Sequence, residues 1–204
     1  MKSNSRHIIL EKIACHSEKN ALDSFLPIHN QIFYKPIKNS LETCFKRELE
    51  RVGGCCYIFS TEDDLFAGIS EFLEDRKLTK IFSSNAYFQK FIPTVTSCPE
   101  NFETMEVAVT ECECLVARTG SVLVSSANLG GRQLQVYPPI HVVIASRSQI
   151  YPYITDALQF VNEKYKGLLP SLLSIVTGQS RTADIEKTLV MGAHGPRELH
   201  LFIA

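Results

Sequence analysis

The chain has 204 residues, of which 45% are hydrophobic, and it carries a formal net charge of −1. That length allows one α/β domain with a full core and an added N-terminal arm, and the near-zero charge gives no global field that would attract nucleic acid or a membrane surface. No apolar run approaches the roughly 20 residues needed to span a bilayer, and the N-terminal residues lack the apolar core of a secretory signal, so we expect a cytoplasmic protein.

The seven cysteines are interpreted as reduced thiols, because their number is odd and several lie in apolar runs. The pairs Cys55-Cys56 and Cys112-x-Cys114 lack the spacing of iron–sulfur ligands, and no set of four zinc ligands can be assembled. No G-x-G-x-x-G motif follows a strand, so a flavin or nicotinamide is not indicated either. The sequence therefore predicts no metal and no cofactor, with buried, apolar cysteines.

The N-terminal residues form a separate part in this interpretation. Residues 3–25 are predicted to be helical, and a break with two prolines follows at 27–36. The sequence thus predicts an N-terminal helical arm and linker at 1–36 and an α/β domain at 37–204. Such an arm packs on its own domain or on a neighbouring subunit, which leaves a homo-oligomer open.

The first half of the domain alternates between helices and strands. A helix is predicted at 41–52, a strand at 55–59, an acidic helix start at Thr61, and a further strand at 80–83. A short helix with Tyr87 follows. Strands that alternate with helices of this length predict a mainly parallel sheet flanked by helices, with right-handed crossovers.

The second half continues the pattern with three polar loops. Strands are predicted at 105–110, 122–124 and 140–145, a helical turn at 111–117, and a helix at 149–164. Three loops separate or follow these elements: Thr119–Ser121, Ser125–Arg132 and Thr177–Thr182. Each is small or polar, so we expect the three loops to meet at one edge, together with the turn at His194-Gly195.

The C-terminal residues form the candidate site. A strand at 172–176 is followed by a polar turn and then by a predicted short helix, capped by Ser180 or Thr182, that runs through Lys187. A last strand is predicted at 198–204. Free N–H groups at a helix start attract anions, and Arg181 adds a planar cation. An ordinary capped helix with surface charges is an equally weighted alternative.

These loops supply two sets of candidate residues. For acid–base chemistry we consider Asp184, Glu186 and His194, although a lone histidine in a turn is as often a surface residue. For ligand binding we consider the residues with small or polar side chains and the arginines of the loops: Thr119, Gly120, Ser121, Arg132, Thr177, Gly178, Ser180, Arg181, Thr182 and Gly195.

The run T-G-Q-S-R-T-A-D-I-E-K-T-L-V-M-G-A-H-G-P-R-E-L-H at 177–200 resembles the C-terminal signature of the LUD-domain family. Two further patches support this resemblance, A-R-T-G-S-V-L-V at 117–124 and G-R-Q-L-Q-V-Y-P-P-I-H-V-V-I at 131–144. The similarity extends from about Val107 to the C-terminus. The family usually has an acidic residue just before the T-G-[ST] run, where this chain has Arg118, and this swap inverts a charge beside the expected ligand.

The resemblance implies a fold like that of the superfamily of sugar-phosphate isomerases, CoA transferases and folate cyclo-ligases, which bind phosphates or carboxylates in small polar loops. It also implies iron–sulfur protein partners, which together with the family support oxidation of L-lactate to pyruvate. It identifies no catalytic residue that can be transferred to this chain.

Three functions remain open at this point. In the first, the chain is a non-redox subunit of an iron–sulfur L-lactate oxidation system and either binds a small anion or organises its partners. Alternatively, it is an independent enzyme acting on a phosphorylated, carboxylated or CoA-linked substrate. The third option is a binding or sensing protein without chemistry. In the first case electrons must be carried by the partners.

Overall fold

The computed structural model describes residues 4–17, 36–83, 85–92, 95–96, 104–127, 132–182, 190–192 and 194–204. The chain divides into two units, residues 1–36 and 37–204. In the first unit the structure describes helix α1 (Asn4–Ser17), which lies within the predicted helical stretch. None of the described helices is long and apolar enough to cross a membrane.

The described helices of the second unit begin at residues that satisfy their free N–H groups. Thr61 accepts a hydrogen bond from the backbone N–H of Asp64, and Ser40 and Asn85 cap their helices in the same way. These elements are α2 (Leu41–Arg51), α3 (Glu62–Asp75), α4 (Ala86–Phe91) and α5 (Ile154–Lys164).

Most strands are short, and those in the described residues form three sheets. In chain order they are β1 (Cys55–Ile58), β2 (Ile81–Phe82), β3 (Val95–Thr96), β4 (Val107–Glu111), β5 (Cys114–Val116), β6 (Ser121–Ser125), β7 (Ile140–Ala145), β8 (Ile150–Tyr151), β9 (Leu173–Val176), β10 (Arg181–Thr182), β11 (Val190–Met191) and β12 (Glu198–Ile203).

The main sheet has six strands in the order β1-β12-β7-β4-β2-β3, and every neighbouring pair is parallel. This confirms the predicted α/β fold with a mostly parallel sheet flanked by helices. The central strands β4, β7 and β12 are almost entirely buried, as expected where both faces of a sheet are covered. One face packs on α3 and α4, and the other packs on α2 and the second sheet.

The second sheet has the order β8-β5-β6-β9, and its β5-β6 and β6-β9 pairs are antiparallel. The helical turn predicted at 111–117 is therefore wrong, because Cys114–Val116 form strand β5. Leu115 faces the main core, whereas Cys114 and Val116 face α5, and all three are fully buried. A strand buried on both faces lacks the alternating pattern that would distinguish it from a helix.

The helix predicted at 149–164 starts later than expected, at Ile154. Ile150 and Tyr151 instead form strand β8 beside β5. Pro152 explains the difference, because the residue that precedes a proline is disfavoured in helical geometry.

The prediction that Ser180 caps a helix is also wrong, whereas a helix capped by Thr182 would lie in residues 183–189, outside the described residues. Arg181 and Thr182 form β10, which pairs with β11 in antiparallel orientation. The backbone N–H of Ser180 donates to the carbonyl of Pro196 at 2.9 Å, and its carbonyl accepts from Gly192 at 3.0 Å. These bonds fix an extended conformation at Ser180. Residues 183–189, with Asp184 and Glu186, lie outside the described residues.

Of the five cysteines that the structure describes with their side chains, four are buried. Cys44, Cys56, Cys112 and Cys114 lie in the interior, whereas Cys55 is exposed. The prediction of buried, apolar thiols is confirmed at these four positions. Cys15 and Cys98 have side chains outside the described part.

Candidate functional site

A cavity of about 350 Å³ lies at the amino ends of β7 and β12, under the segment that follows β9. We call it the polar cavity. It brings together six of the predicted residues, contributed by three separate parts of the chain: Arg132, Thr177, Gly178, Ser180, His194 and Gly195. Buried Gln135 and His141, which the sequence interpretation did not single out, also line it.

The charge around the polar cavity has one sign among the described residues. Arg132, which is exposed, carries a fixed positive charge. None of the lining residues in the described part of the chain is Asp, Glu or Lys. Arg132 donates from Nη2 to the neutral Ser171 hydroxyl at 3.0 Å.

The turn at Thr119–Ser121 meets the segment after β9 without lining the cavity. Ser121 Oγ donates to Thr119 Oγ1 at 2.7 Å, and it lies 2.8 Å from Thr177 Oγ1. The predicted meeting of these two loops is thus present, as a row of three hydroxyl groups. The remaining loop is Ser125–Arg132, and its residues 128–131 lie outside the described residues.

Two predicted glycines lie against helix α2. A Cβ atom on Gly178 would collide with the carbonyl oxygen of Val52, and one on Gly120 would collide with the backbone of Leu49. Both have positive φ, 77° and 63°. The close approach to a helix backbone and the left-handed conformation account for glycine at both positions without a ligand.

Arg181 does not line the polar cavity. Its Nη2 donates to the carbonyl oxygen of Val52 at 3.0 Å, just beyond the C-terminal end of α2. With its amide oriented to satisfy both neighbours, Gln179 accepts from Arg181 at 3.2 Å and donates to the carbonyl of Arg197 at 2.9 Å. Arg181 therefore stabilises a helix C-terminus, where a cation is favoured. Thr182 pairs with Val190 in the same hairpin.

His141 is the functional candidate that the sequence interpretation missed. It is the second residue of β7 and is 1% exposed. Its Nε2 lies 2.8 Å from Thr110 Oγ1, and its Nδ1 has no hydrogen-bond partner among the described residues. Burial lowers the pKa of His141 to about 4, so the ring is neutral near pH 7. A polar residue inside the apolar run at 140–145 was the signal that could have identified it.

A second cavity, of about 440 Å³, lies at the carboxyl ends of β4 and β7, and we call it the edge cavity. Its lining includes Glu111, Glu113, Lys164 and Tyr165. Glu113 is 1% exposed, and its carboxylate accepts from Lys164 Nζ at 2.7 Å, from Tyr165 Oη at 2.8 Å and from the Ser125 hydroxyl. Burial favours a higher pKa for Glu113, but these hydrogen bonds outweigh it and lower that pKa.

In the described part of the chain, no group of three or more His, Cys, Asp or Glu side chains is arranged to hold a metal ion.

Comparison with known proteins identifies relatives for this architecture. Lactate utilization protein C of Geobacillus sp. strain WCH70 is 38% identical over 96 residues, which span 46% of this chain and 40% of that protein. The protein of the same name from Bacillus licheniformis is 28% identical over 179 residues, 83% of this chain and 70% of that protein. The aligned part of this chain thus spans less than half the length of the first of these relatives.

A crystal structure of a DUF162 family protein from Deinococcus radiodurans has the same fold. It superposes with a TM-score of 0.59 at 17% identity, and the match covers 80% of this chain and 95% of the other. The family model of the LUD domain matches residues 43–204, which include every strand of the described structure and both cavities. The chain therefore belongs to the LUD-domain family.

Proposed function

We propose that this chain is a non-redox component of a lactate utilisation system and that it binds a small anion in the polar cavity. The relatives named lactate utilization protein C support the first part of this proposal. The aligned part of the first of these relatives is less than half of its length, so the proposal concerns the role of the LUD domain itself. In this proposal the iron–sulfur proteins that the family resemblance implies carry the electrons, and this chain contributes binding.

The observation that carries the anion proposal is the one-sided charge of the polar cavity. Arg132 forms no ion pair within the described residues, and its one hydrogen bond goes to a hydroxyl group. A guanidinium offers planar donors that match a carboxylate or phosphate. The volume of about 350 Å³ lies at the small end of the range for ligand pockets, roughly 300–1,000 Å³. A small organic anion therefore fits the site in charge and in size.

Thermal melting with added anions tests this proposal. A ligand that binds only the folded protein raises the melting temperature as its concentration increases. We expect L-lactate, inorganic phosphate or CoA to raise the melting temperature of the unmodified protein and to have a much smaller effect on Arg132→Gln. Arg51→Gln is the matched control, because Arg51 lies on α2, pairs with Glu48 at 3.0 Å and does not line the cavity. If none of the three anions shifts the unmodified protein, the anion proposal is wrong.

Purification of the tagged full chain under anaerobic conditions tests the partner proposal. We expect cysteine-rich proteins with an iron–sulfur absorption spectrum to co-purify in defined stoichiometry. Elution of the chain alone from an extract in which those partners are detectably expressed would contradict it.

The edge cavity favours a second candidate, an independent enzyme acting on a phosphorylated, carboxylated or CoA-linked substrate. Ligands of open α/β sheets usually bind at the carboxyl ends of parallel strands, where this cavity lies. It contains a buried carboxylate on Glu113 and a partly exposed amine on Lys164, 2.7 Å apart. Turnover of such a substrate by the purified chain, abolished in Glu113→Gln, would favour this candidate over the first.

A further inference from the structure

A groove of about 680 Å³ adjoins the polar cavity, and we call it the outer groove. Pro139, directly before β7, and Arg197, directly before β12, belong to its walls. The outer groove shares three lining residues with the polar cavity: Val136, His194 and Gly195. The two spaces are therefore continuous neighbours, and a ligand too long for the polar cavity extends into the outer groove.

The outer groove contains a second fixed positive charge, because Arg197 is exposed and lines it. The guanidinium of Arg197 forms no ion pair among the described residues. Glu198, its acidic neighbour in the sequence, is engaged elsewhere: it accepts from Arg76 Nη1 at 2.6 Å and lies 2.8 Å from His200 Nε2. In the described part of the chain, neither Asp nor Glu lines the outer groove.

The fold holds the side chain of Arg197 at this place. A Cβ atom on Gly192 would collide with Cγ of Arg197, so the stem of the arginine packs directly on the glycine. Gly192 has a φ of 73°, a conformation that favours glycine. The backbone N–H of Arg197 donates to the carbonyl of Pro139 at 2.8 Å, which joins two walls of the groove. The second cation is therefore built into the groove.

The boundary between the two spaces is apolar. Val136 lines both of them and is 49% exposed, and Tyr137 beside it lines the outer groove and is 57% exposed. Exposed apolar side chains in a ligand site provide contact area for apolar parts of the ligand. A ligand that reaches from Arg132 to Arg197 therefore contacts a cation, an apolar stretch and a second cation.

We propose that the polar cavity and the outer groove form one elongated site for a dianion, in which one acidic group pairs with Arg132 and the other pairs with Arg197. The ligand class is molecules with two carboxylate or phosphate groups joined by an apolar segment, which packs on Val136. This inference rests on the proposed anion site at Arg132. It adds a second charged contact, so a dianion binds more tightly than a monoanion of the same length.

Calorimetric titration with two matched series of carboxylates tests the inference. Succinate, glutarate, adipate and pimelate are compared with butyrate, pentanoate, hexanoate and heptanoate, because each pair has equal numbers of carbon atoms and differs in the second carboxylate. At the chain length that spans both arginines, we expect the dicarboxylate to bind about tenfold more tightly, and shorter chains to show a smaller preference. Equal affinities at every length would overturn the inference and leave the anion site intact. If no member of either series binds, the anion site and the inference are both wrong.

The variant Arg197→Gln removes the charge of the outer groove and leaves the polar cavity unchanged. We expect it to reduce the preference for the dicarboxylate to near one, with the affinity for the monocarboxylates unchanged. Arg51→Gln is the matched control and should retain the full preference, because Arg51 lines neither space. A preference that persists in full in Arg197→Gln would overturn the inference.

A measurement on the unmodified protein locates the contact without any substitution. Nitrogen-15 spectra of the labelled arginine side chains report the surroundings of each guanidinium. We expect the Nε resonance of Arg197 to shift when the tightest-binding dicarboxylate is added, and to shift far less with its monocarboxylate partner at the same occupancy. No shift of this resonance at saturating dicarboxylate would contradict the assignment.

Discussion

The guanidinium of Arg181 donates a hydrogen bond to the carbonyl oxygen of Val52, across 129 positions of the sequence. Val52 follows the last residue of α2, whose terminal carbonyl groups have no partner within the helix. The contact thus joins the hairpin β10-β11 to the first helix of the domain. It gives Arg181 a structural role in a segment where the sequence pattern indicates an anion site.

The first prediction concerns this contact. Arg181→Gln should lower the free energy of unfolding by about 1 kcal/mol, because an exposed hydrogen bond at a helix C-terminus is lost. Urea denaturation of Arg181→Gln, beside Arg51→Gln as a charge-matched control, measures the difference. If Arg181 instead contacts the ligand, the substitution will weaken anion binding in the folded protein and leave the denaturation midpoint in place.

The second prediction compares two glycines with nearly the same backbone conformation. Gly178 and Gly167 have φ values of 77° and 79°, but only Gly178 lies against another backbone, since nothing lies within 4 Å of a Cβ atom built on Gly167. Gly167→Ala should cost about 1 kcal/mol of stability from backbone strain alone. Gly178→Ala should cost at least about 3 kcal/mol, because its methyl group also collides with Val52. Equal midpoints of chemical denaturation for the two variants would show that the collision relaxes without cost.

The third prediction concerns the pH dependence of stability and follows from His141. Its pKa is lowered by burial to about 4, so below the ordinary histidine pKa the unfolded chain binds a proton that the folded chain does not. Stability should therefore fall as the pH decreases from about 6.5 to 4, by about 3 kcal/mol for this one group. His200 adds to the same trend, since burial also lowers its pKa despite the neighbouring carboxylate of Glu198.

His141→Gln should flatten this part of the stability profile. The measurement is the free energy of unfolding at a series of pH values. An unchanged slope between pH 6.5 and 4 in His141→Gln would contradict a neutral, buried imidazole.

The fourth prediction concerns Glu113. Burial favours a higher pKa for Glu113, but hydrogen bonds from Lys164, Ser125 and Tyr165 outweigh it and lower that pKa. The carboxylate therefore stabilises the folded protein at pH values above the ordinary glutamate pKa. This stabilisation is lost as the pH falls through the pKa of Glu113 in the folded protein. This window lies below that of His141. Glu113→Gln should cost about 2 kcal/mol at pH 7, because three donors lose a charged acceptor. Glu163→Gln, at an exposed glutamate, should change the stability by less than about 0.5 kcal/mol.

The main sheet could be predicted because its strands and helices carry local signals. Thr61 with three acidic residues after it predicts the start of α3, and the apolar run at 140–145 predicts β7. The second sheet could not be predicted in the same way. Leu115 and its neighbours are buried on both sides, and that burial depends on α5 and on a sheet that forms only when distant residues meet.

The site could be predicted as a set of segments but not as a geometry. The segments with Arg132, Ser180 and His194 do meet in one cavity, and their polar composition was the signal. The extended conformation of Arg181 could not be read from its neighbours, since pairing with Met191 decides it. His141 was missed because a polar residue inside an apolar strand signals both a satisfied core residue and a ligand contact, and the sequence alone does not separate the two.

The central claim is that the polar cavity binds a small anion through Arg132. Calorimetric titration of L-lactate into the unmodified protein, Arg132→Gln and Arg51→Gln at one pH and salt concentration tests it most directly. We expect saturable binding to the unmodified protein and to Arg51→Gln, and affinity about 10- to 100-fold lower for Arg132→Gln, as the loss of a charge-assisted contact predicts. No binding to the unmodified protein, or equal affinity for all three proteins, would contradict the claim.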